Sequence, residues 1–227
     1  AIYGPDGQDP TVVDAPYDWP PAPRDSRHPL QGMRIGYLHR AFERERPTRA
    51  LDQAVLDALR SLGAELLPLE LPAYPIQAMS LILDVETAAA FDDLTRSNQD
   101  DLLTRQQEHA WPNHFRRARF IPAVEYVQAN RLRALVMRAM AELMEKVDLY
   151  VAPTDDDEED NSLLTNLTGH PVLCLPTGFI PQGHPRAGLP GSITFVGRLY
   201  DEATLLQVGS IYQQAYGVRV ERPPRMV

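Results

Sequence analysis

Seven serines, six histidines, one lysine and one cysteine are the side chains from which a nucleophilic or metal site could be built in this 227-residue chain. A serine nucleophile needs a strained or glycine-flanked turn that exposes its oxygen beside backbone N–H groups. Ser26, Ser61, Ser80, Ser97, Ser162, Ser192 and Ser210 include no G-x-S-x-G and no dense Gly/Ser stretch. Ser192, after Gly191, reads as the entry to an apolar strand. Cys174 lies in an apolar run with no histidine near it in sequence, which reads as a buried, inert thiol. Lys146, the only lysine, follows Glu142 by four residues near a helix end, the spacing of a surface ion pair. A catalytic lysine needs burial to lower its pKa, and nothing around Lys146 supplies it. No catalytic residue is assigned.

Metal chemistry finds no better footing. His28, His39, His109, His114, His170 and His184 contain no H-E-x-x-H and no pair on one helix face. The run Asp155–Asp160 has carboxylates but neither a glycine turn nor alternating ligand spacing, so it reads as a solvated loop. No metal and no cofactor is implied. Glu86 shares a helix face with Met79, Ile82, Leu83 and Ala90. That placement fits either a carboxylate at a pocket wall or a buried acid paired with an arginine or backbone. Asn166-Leu167-Thr168 matches a glycosylation acceptor, but no leader accompanies it.

A formal charge of −9 argues against a nucleic-acid surface, which needs clustered basic residues. The most apolar stretch, 76–91, is interrupted by Asp84 and Glu86, so no membrane span is expected. The opening AIYGPDGQDP has neither the basic start nor the apolar centre of a secretory signal, and one cysteine fits a reducing compartment. The expected location is cytoplasmic.

The positioning elements follow from periodicity. Residues 1–32 hold seven prolines and read as an extended segment lying on something else. Ala1-Ile2-Tyr3 before Gly4 resembles the last turn of a helix, an expectation that sequence precedes it. MRIGYL (33–38) and AELLPLEL (64–71) read as parallel strands joined by a helix that Thr48 caps and Gly63 ends. Pro68 places the second strand near an edge. Residues 75–147 read as a helical insertion: one long helix from Ile76 to Leu94, a helix-and-loop stretch around Trp111-Pro112, and a helix opened by Pro122. That last helix carries Val124, Leu132, Leu135, Val136, Ala139, Met140 and Leu143 on one stripe. DLYVAPT (148–154), PVLCLP (171–176) and SITFVGRL (192–199) return as strands. Asn161 caps a short helix to Gly169, and Asp201 caps the last one, closed by Gly217. The predicted class is α/β: a mixed, largely parallel sheet sandwiched by helices, with 33–227 as its α/β region.

Read together, these motifs resemble the carboxy-terminal half of the amidase signature family. AIYGPDGQDP is similar to the helix end and G-x-D-x-x-D turn after that family's catalytic core. MRIGYL with AELLPLELP resembles its next βαβ unit, and ETAAAF with IPAVEYVQANRLR (121–133) its helical insertion. DLYVAPT, TNLTGHPVLCLPTGF (165–179) and ITFVGRLYDEATLL (193–206) resemble its closing strands and last helix. The resemblance implies hydrolysis of carboxamide C–N bonds by two serines and a lysine that lie upstream of Ala1, so that this chain alone is inactive. It also implies that Thr165 and Asn166, and the residues Trp111 and Phe115, contact substrate. Helix capping is the competing reading of the first two, and core packing that of Trp111. The implied partners are a small amide and either the amino-terminal half of the amidase or a second copy, docked on an exposed apolar face. A non-catalytic α/β module that binds a ligand or partner is the other reading. The resemblance does not separate simple amidases from the glutamyl-tRNA amidotransferase branch of the family.

Overall fold

The computed structural model describes residues 4–14, 17, 19, 27–154 and 160–216. The helix end expected at 1–3, four of the early prolines, the acidic residues 155–159 and Gly217 lie outside them. The chain separates into a sheet unit (1–71, 143–159 and 169–227) and a helical unit (72–142 and 160–168).

In the sheet unit, the described part of 4–14 has no helix or strand. It folds back on itself through Asp6, which accepts the Gln8 N–H at 2.9 Å, and Asp9, which accepts the Thr11 N–H at 2.8 Å. Order begins at β1 (Arg34–Leu38), then α1 (His39–Glu43), α2 (Arg49–Ser61) and β2 (Glu65–Leu69). After the helical unit come β3 (Leu149–Pro153), β4 (Val172–Phe179), β5 (Pro190–Gly197) and α8 (Glu202–Tyr216). The sheet order is β2-β1-β3-β5-β4. β1 runs parallel to both β2 and β3, whereas β5 runs antiparallel to β3 and β4. The expected parallel β1–β2 pair is present, with Pro68 in an edge strand, where its missing donor costs least. Gly63, at φ 96°, ends α2 in the left-handed conformation that glycine adopts without strain.

Strand alternation decides what is buried. Ile35, Leu149, Val151, Leu175, Ile193 and Phe195 pack against Val55, Leu56 and Leu59 of α2 and Leu205, Val208 and Tyr212 of α8. The hairpin β4–β5 runs further than PVLCLP and SITFVGRL predict, because 177–179 and 190–191 continue the ladder past a bulge. β4 is the other edge strand, and Val172, Cys174 and Phe179 on it are exposed. The buried thiol expected at Cys174 is thus corrected: its alternation places it on the face opposite the α2–α8 core, 3.6 Å from the Thr194 hydroxyl.

Thr48 does stand before α2, but its hydroxyl donates to the Asp52 carboxylate at 3.0 Å instead of capping a free N–H. Asp52 is 1% exposed and has the Arg46 guanidinium at 3.3 Å, so the threonine serves a buried acid. Asp201 does cap α8, accepting the Thr204 N–H at 3.3 Å.

In the helical unit, α3 (Leu81–Ala90) and α4 (Asp92–Arg96) replace the single helix expected from Ile76 to Leu94. A 3-10 turn over Gln77–Ser80 leads in, and the axis breaks at Phe91 (φ −105°, ψ 26°). Asp92 and Asp93 favour a new helix start, and the break lets Phe91 stack on Phe115 at 4.9 Å. Asp92 accepts hydrogen bonds from Arg96 at 2.6 Å and Arg119 at 2.7 Å, and the Arg96 bond is the first cause holding its carboxyl below the ordinary range. After a second 3-10 turn (Gln99–Leu102) come α5 (Trp111–Ala118), α6 (Ala123–Met144) and α7 (Asn161–Thr168). α6 is not single-sided: Val136 and Met140 are fully buried, yet Val124 and Leu135 of the expected stripe are exposed. α6 ends at Met144, so Lys146 falls outside the helical geometry that its expected pairing with Glu142 requires. No helix of the described residues is long and apolar enough to cross a membrane.

One carboxylate ties three strand ends together in the sheet unit. Asp148 accepts the Arg34 backbone N–H at 2.8 Å and the Arg34 and Arg198 guanidinium groups at 3.4 and 3.0 Å. Arg198 also donates to the carbonyls of Met144 and Val147. Replacing Asp148 with alanine is expected to cost about 2 kcal/mol, because the β1 N–H and two cations lose their acceptor together. Asp148→Asn, which keeps an acceptor for that N–H, should lose less. Urea unfolding midpoints at unchanged slope would measure both, and equal losses would contradict this assignment.

Candidate functional site

The helical unit holds all four residues singled out for substrate contact, in two places. Trp111 and Phe115 stand one turn apart on α5, with ring centroids 5.9 Å apart, and Phe115 stacks in turn on Phe91. Phe115 is the buried middle of this ladder at 4% exposure, whereas Trp111 is 52% exposed. Core packing, the competing reading of Trp111, therefore describes Phe115 and not Trp111. His114 lies beside the Trp111 ring and 3.4 Å from the Asp84 carboxylate.

A clamped loop precedes α5. The Gln106 amide donates to the carbonyls of Asp100 and Leu103, and the Asn113 amide donates to those of Gln106 and Gln107. Beneath it, Arg116 bridges the buried Asp100 at 2.5 Å and the exposed Asp101 at 2.6 Å. Residues of this loop and the start of α5, among them Leu103, Arg105, Gln107, His109, Trp111 and Pro112, line an open hollow of about 540 Å³. The sequence offered Trp111 but not Arg105 or His109, because a polar loop without periodicity carries no signal of which side chains converge.

Thr165 and Asn166 lie on α7. Thr165 is 4% exposed and its hydroxyl donates to the Ser162 carbonyl at 3.0 Å, the bond of a helical turn. Asn166 is exposed. Arg133 of α6 donates to the Leu167 carbonyl at 2.5 Å, fixing the end of α7. No hydrogen bond or ring contact joins the α7 pair to the α5 ladder among the described residues. Glu86, expected to face packed surface, is exposed and accepts the Tyr126 hydroxyl at 3.0 Å. The reading as a buried acid paired with an arginine is thus corrected.

Among the described residues no serine hydroxyl contacts a histidine or lysine. Ser61 and Ser97 donate to carbonyls of their own helices, and Ser210 accepts the Gln214 amide. No group of three or more His, Cys, Asp and Glu side chains could hold a metal ion among those residues.

The amidase family's sequence profile matches residues 1–206. The chain belongs to the amidase family. It is 28% identical over 261 residues to the A component of the glutamyl-tRNA(Gln) amidotransferase of Prochlorococcus marinus, covering 96% of this chain and 52% of that protein. It is also 28% identical over 240 residues to an amidase of Pseudomonas putida, covering 94% and 49%. The chain thus spans about half the length of the curated relatives it matches. Among solved structures, native peptide amidase from Stenotrophomonas maltophilia superimposes with a TM-score of 0.66 at 24% identity, covering 86% of this chain and 45% of that one. A bacterial aryl acylamidase of the amidase signature family gives 0.66 at 19% identity, covering 83% and 44%. These superpositions establish the fold.

His170, within the T-N-L-T-G-H-P stretch, is 7% exposed, and burial pushes its pKa below the ordinary 6.5. The fold therefore favours the neutral ring. Its contribution is complete above the unfolded value and declines as pH falls below 6.5 toward the lowered folded value, where the unfolded chain binds the extra proton. The stability difference between the native chain and His170→Gln should shrink as pH falls through that window. A difference that grows on acidification would contradict it.

Proposed function

We propose that this chain is the carboxy-terminal half of an amidase that hydrolyses small or aryl carboxamides, its two catalytic serines and its lysine residing in amidase sequence ahead of Ala1. The observation that carries the reading is the amidase match over residues 1–206, set beside Ser61 and Ser97, whose hydroxyls donate to nearby helix carbonyls, and an exposed Lys146. In such a reaction a neutral lysine takes the serine proton through the second serine. The alkoxide adds to the amide carbon, and the tetrahedral oxyanion, held by backbone N–H groups, collapses with loss of the protonated amine. Water then cleaves the acyl-enzyme, so that one amide and one water give one carboxylic acid and one amine. No cofactor enters.

The chain's own contribution is scaffold and pocket wall. Trp111 offers an exposed ring braced by Phe115, and Asn166 an exposed amide, while Thr165 holds the turn that presents Asn166. The amino-terminal half is the proposed partner, and the open edge and exposed residues of β4 supply a surface for strand addition. Self-association through the same surface is the competing occupant.

The 227-residue chain alone should release no amine from an anilide. Co-expressed with the Gly/Ser-rich amidase half encoded ahead of it, it should do so. Trp111→Ala in that assembly should raise KM roughly three- to tenfold, the range of one aromatic stacking contact. Amine release by the solitary chain, or silence from the joined halves, would defeat the proposal, and silence would favour a non-catalytic binding module.

A further inference from the structure

The loop before α5 is unusual in how its polar groups are divided. Gln106 and Asn113 hold the backbone of 100–107 in place through four hydrogen bonds, and Ala110 N–H closes onto the Gln107 carbonyl at 2.8 Å. Arg105, Gln107 and His109, by contrast, have side chains engaged in no hydrogen bond or ion pair among the described residues, and all three line the 540 Å³ hollow with Trp111. Asp100 and Asp101 share Arg116, and neither they nor Glu108 are part of the lining.

A backbone already held in shape beside an exposed ring leaves only the side chains of Arg105, Gln107 and His109 to be ordered on binding a ligand. The donor types choose the ligand. Arg105 offers a planar guanidinium fork that matches a carboxylate, His109 and Gln107 add further donors, and Trp111 with Leu103 and Pro112 supplies flat apolar surface. We infer that this hollow binds an aromatic ring carrying an anionic group, the ring on Trp111 and the anion on Arg105. Calling that ligand the acyl or amine portion of a substrate rests on the amidase reading above; the binding itself does not. Its volume falls within the range of small-molecule sites, of the order of 300–1,000 Å³.

Fluorine NMR titration of the whole chain tests this, using 4-fluorobenzoate and the neutral 4-fluorobenzyl alcohol as probes. The acid should bind saturably below about 10 mM and at least about fivefold more tightly than the alcohol. Arg105→Ala should weaken the acid roughly tenfold and leave the alcohol unchanged. Trp111→Ala should weaken both, roughly three- to tenfold. Arg117→Ala, an exposed residue of the same helix outside the lining, should alter neither. No saturable binding, equal affinity for the two probes, or acid binding indifferent to Arg105 would each overturn the inference. The assay involves no turnover. Acid binding with silent joined halves would retire the amidase proposal and keep the hollow, whereas turnover without acid binding would retire the hollow alone.

Discussion

The chain leaves the sheet after Leu69 and returns to it at Leu149, and the carboxylate of Asp148 is what fixes the return, since β3 must find its place beside β1 after a long detour through another unit. Closing so long a loop has an entropic cost, which grows only slowly with length, and the returning strand needs a specific partner to fix its register. Asp148, immediately before β3, supplies it by accepting the Arg34 N–H at the head of β1 and the guanidinium of Arg198 just past β5. Parallel pairing on one side and antiparallel pairing on the other are thereby set at the same point. The alternation that follows sends Leu149 and Val151 into the α2–α8 core and Tyr150 and Ala152 to the other face.

The helical unit uses a different device. It has no strand, so its shape comes from aromatic stacking and from ion pairs that bridge short helices. Phe91 gives up helical geometry, and its ring joins the stack on Phe115. Arg116 and Arg119 reach back to Asp100, Asp101 and Asp92 across breaks in the chain. Exposed ion pairs of this kind contribute little each. The Arg116–Asp100 pair is the exception, because an acid 2% exposed must be matched. The result is a loop held in shape while its outward donors stay available.

Strand positions, the parallel β1–β2 pair, the edge status of β2, the α8 cap and the family itself were legible in the residues, since they follow from period, turn chemistry and ordered motifs. Cys174 and Glu86 were not. Each sits on an apolar-looking stretch, and periodicity tells which face a side chain shares but not whether anything covers that face. Trp111 and Phe115 show the same limit: two aromatics one turn apart look alike in sequence, yet one is buried against Phe91 and the other is open. Arg105 and His109 could not be found at all, because their convergence depends on hydrogen bonds from Gln106 and Asn113.

By itself, then, the sequence determined the class of fold, the family, and the absence of a recognisable nucleophile motif, because local spacing and chain order carry that information directly. Tertiary structure alone decided the break at Phe91, the exposure of Cys174 and Glu86, the service of Thr48 to a buried Asp52, and the hollow beside Trp111. All of these turn on contacts between residues distant along the chain or held by loops without a period, and such contacts leave no repeating pattern in the residues that make them.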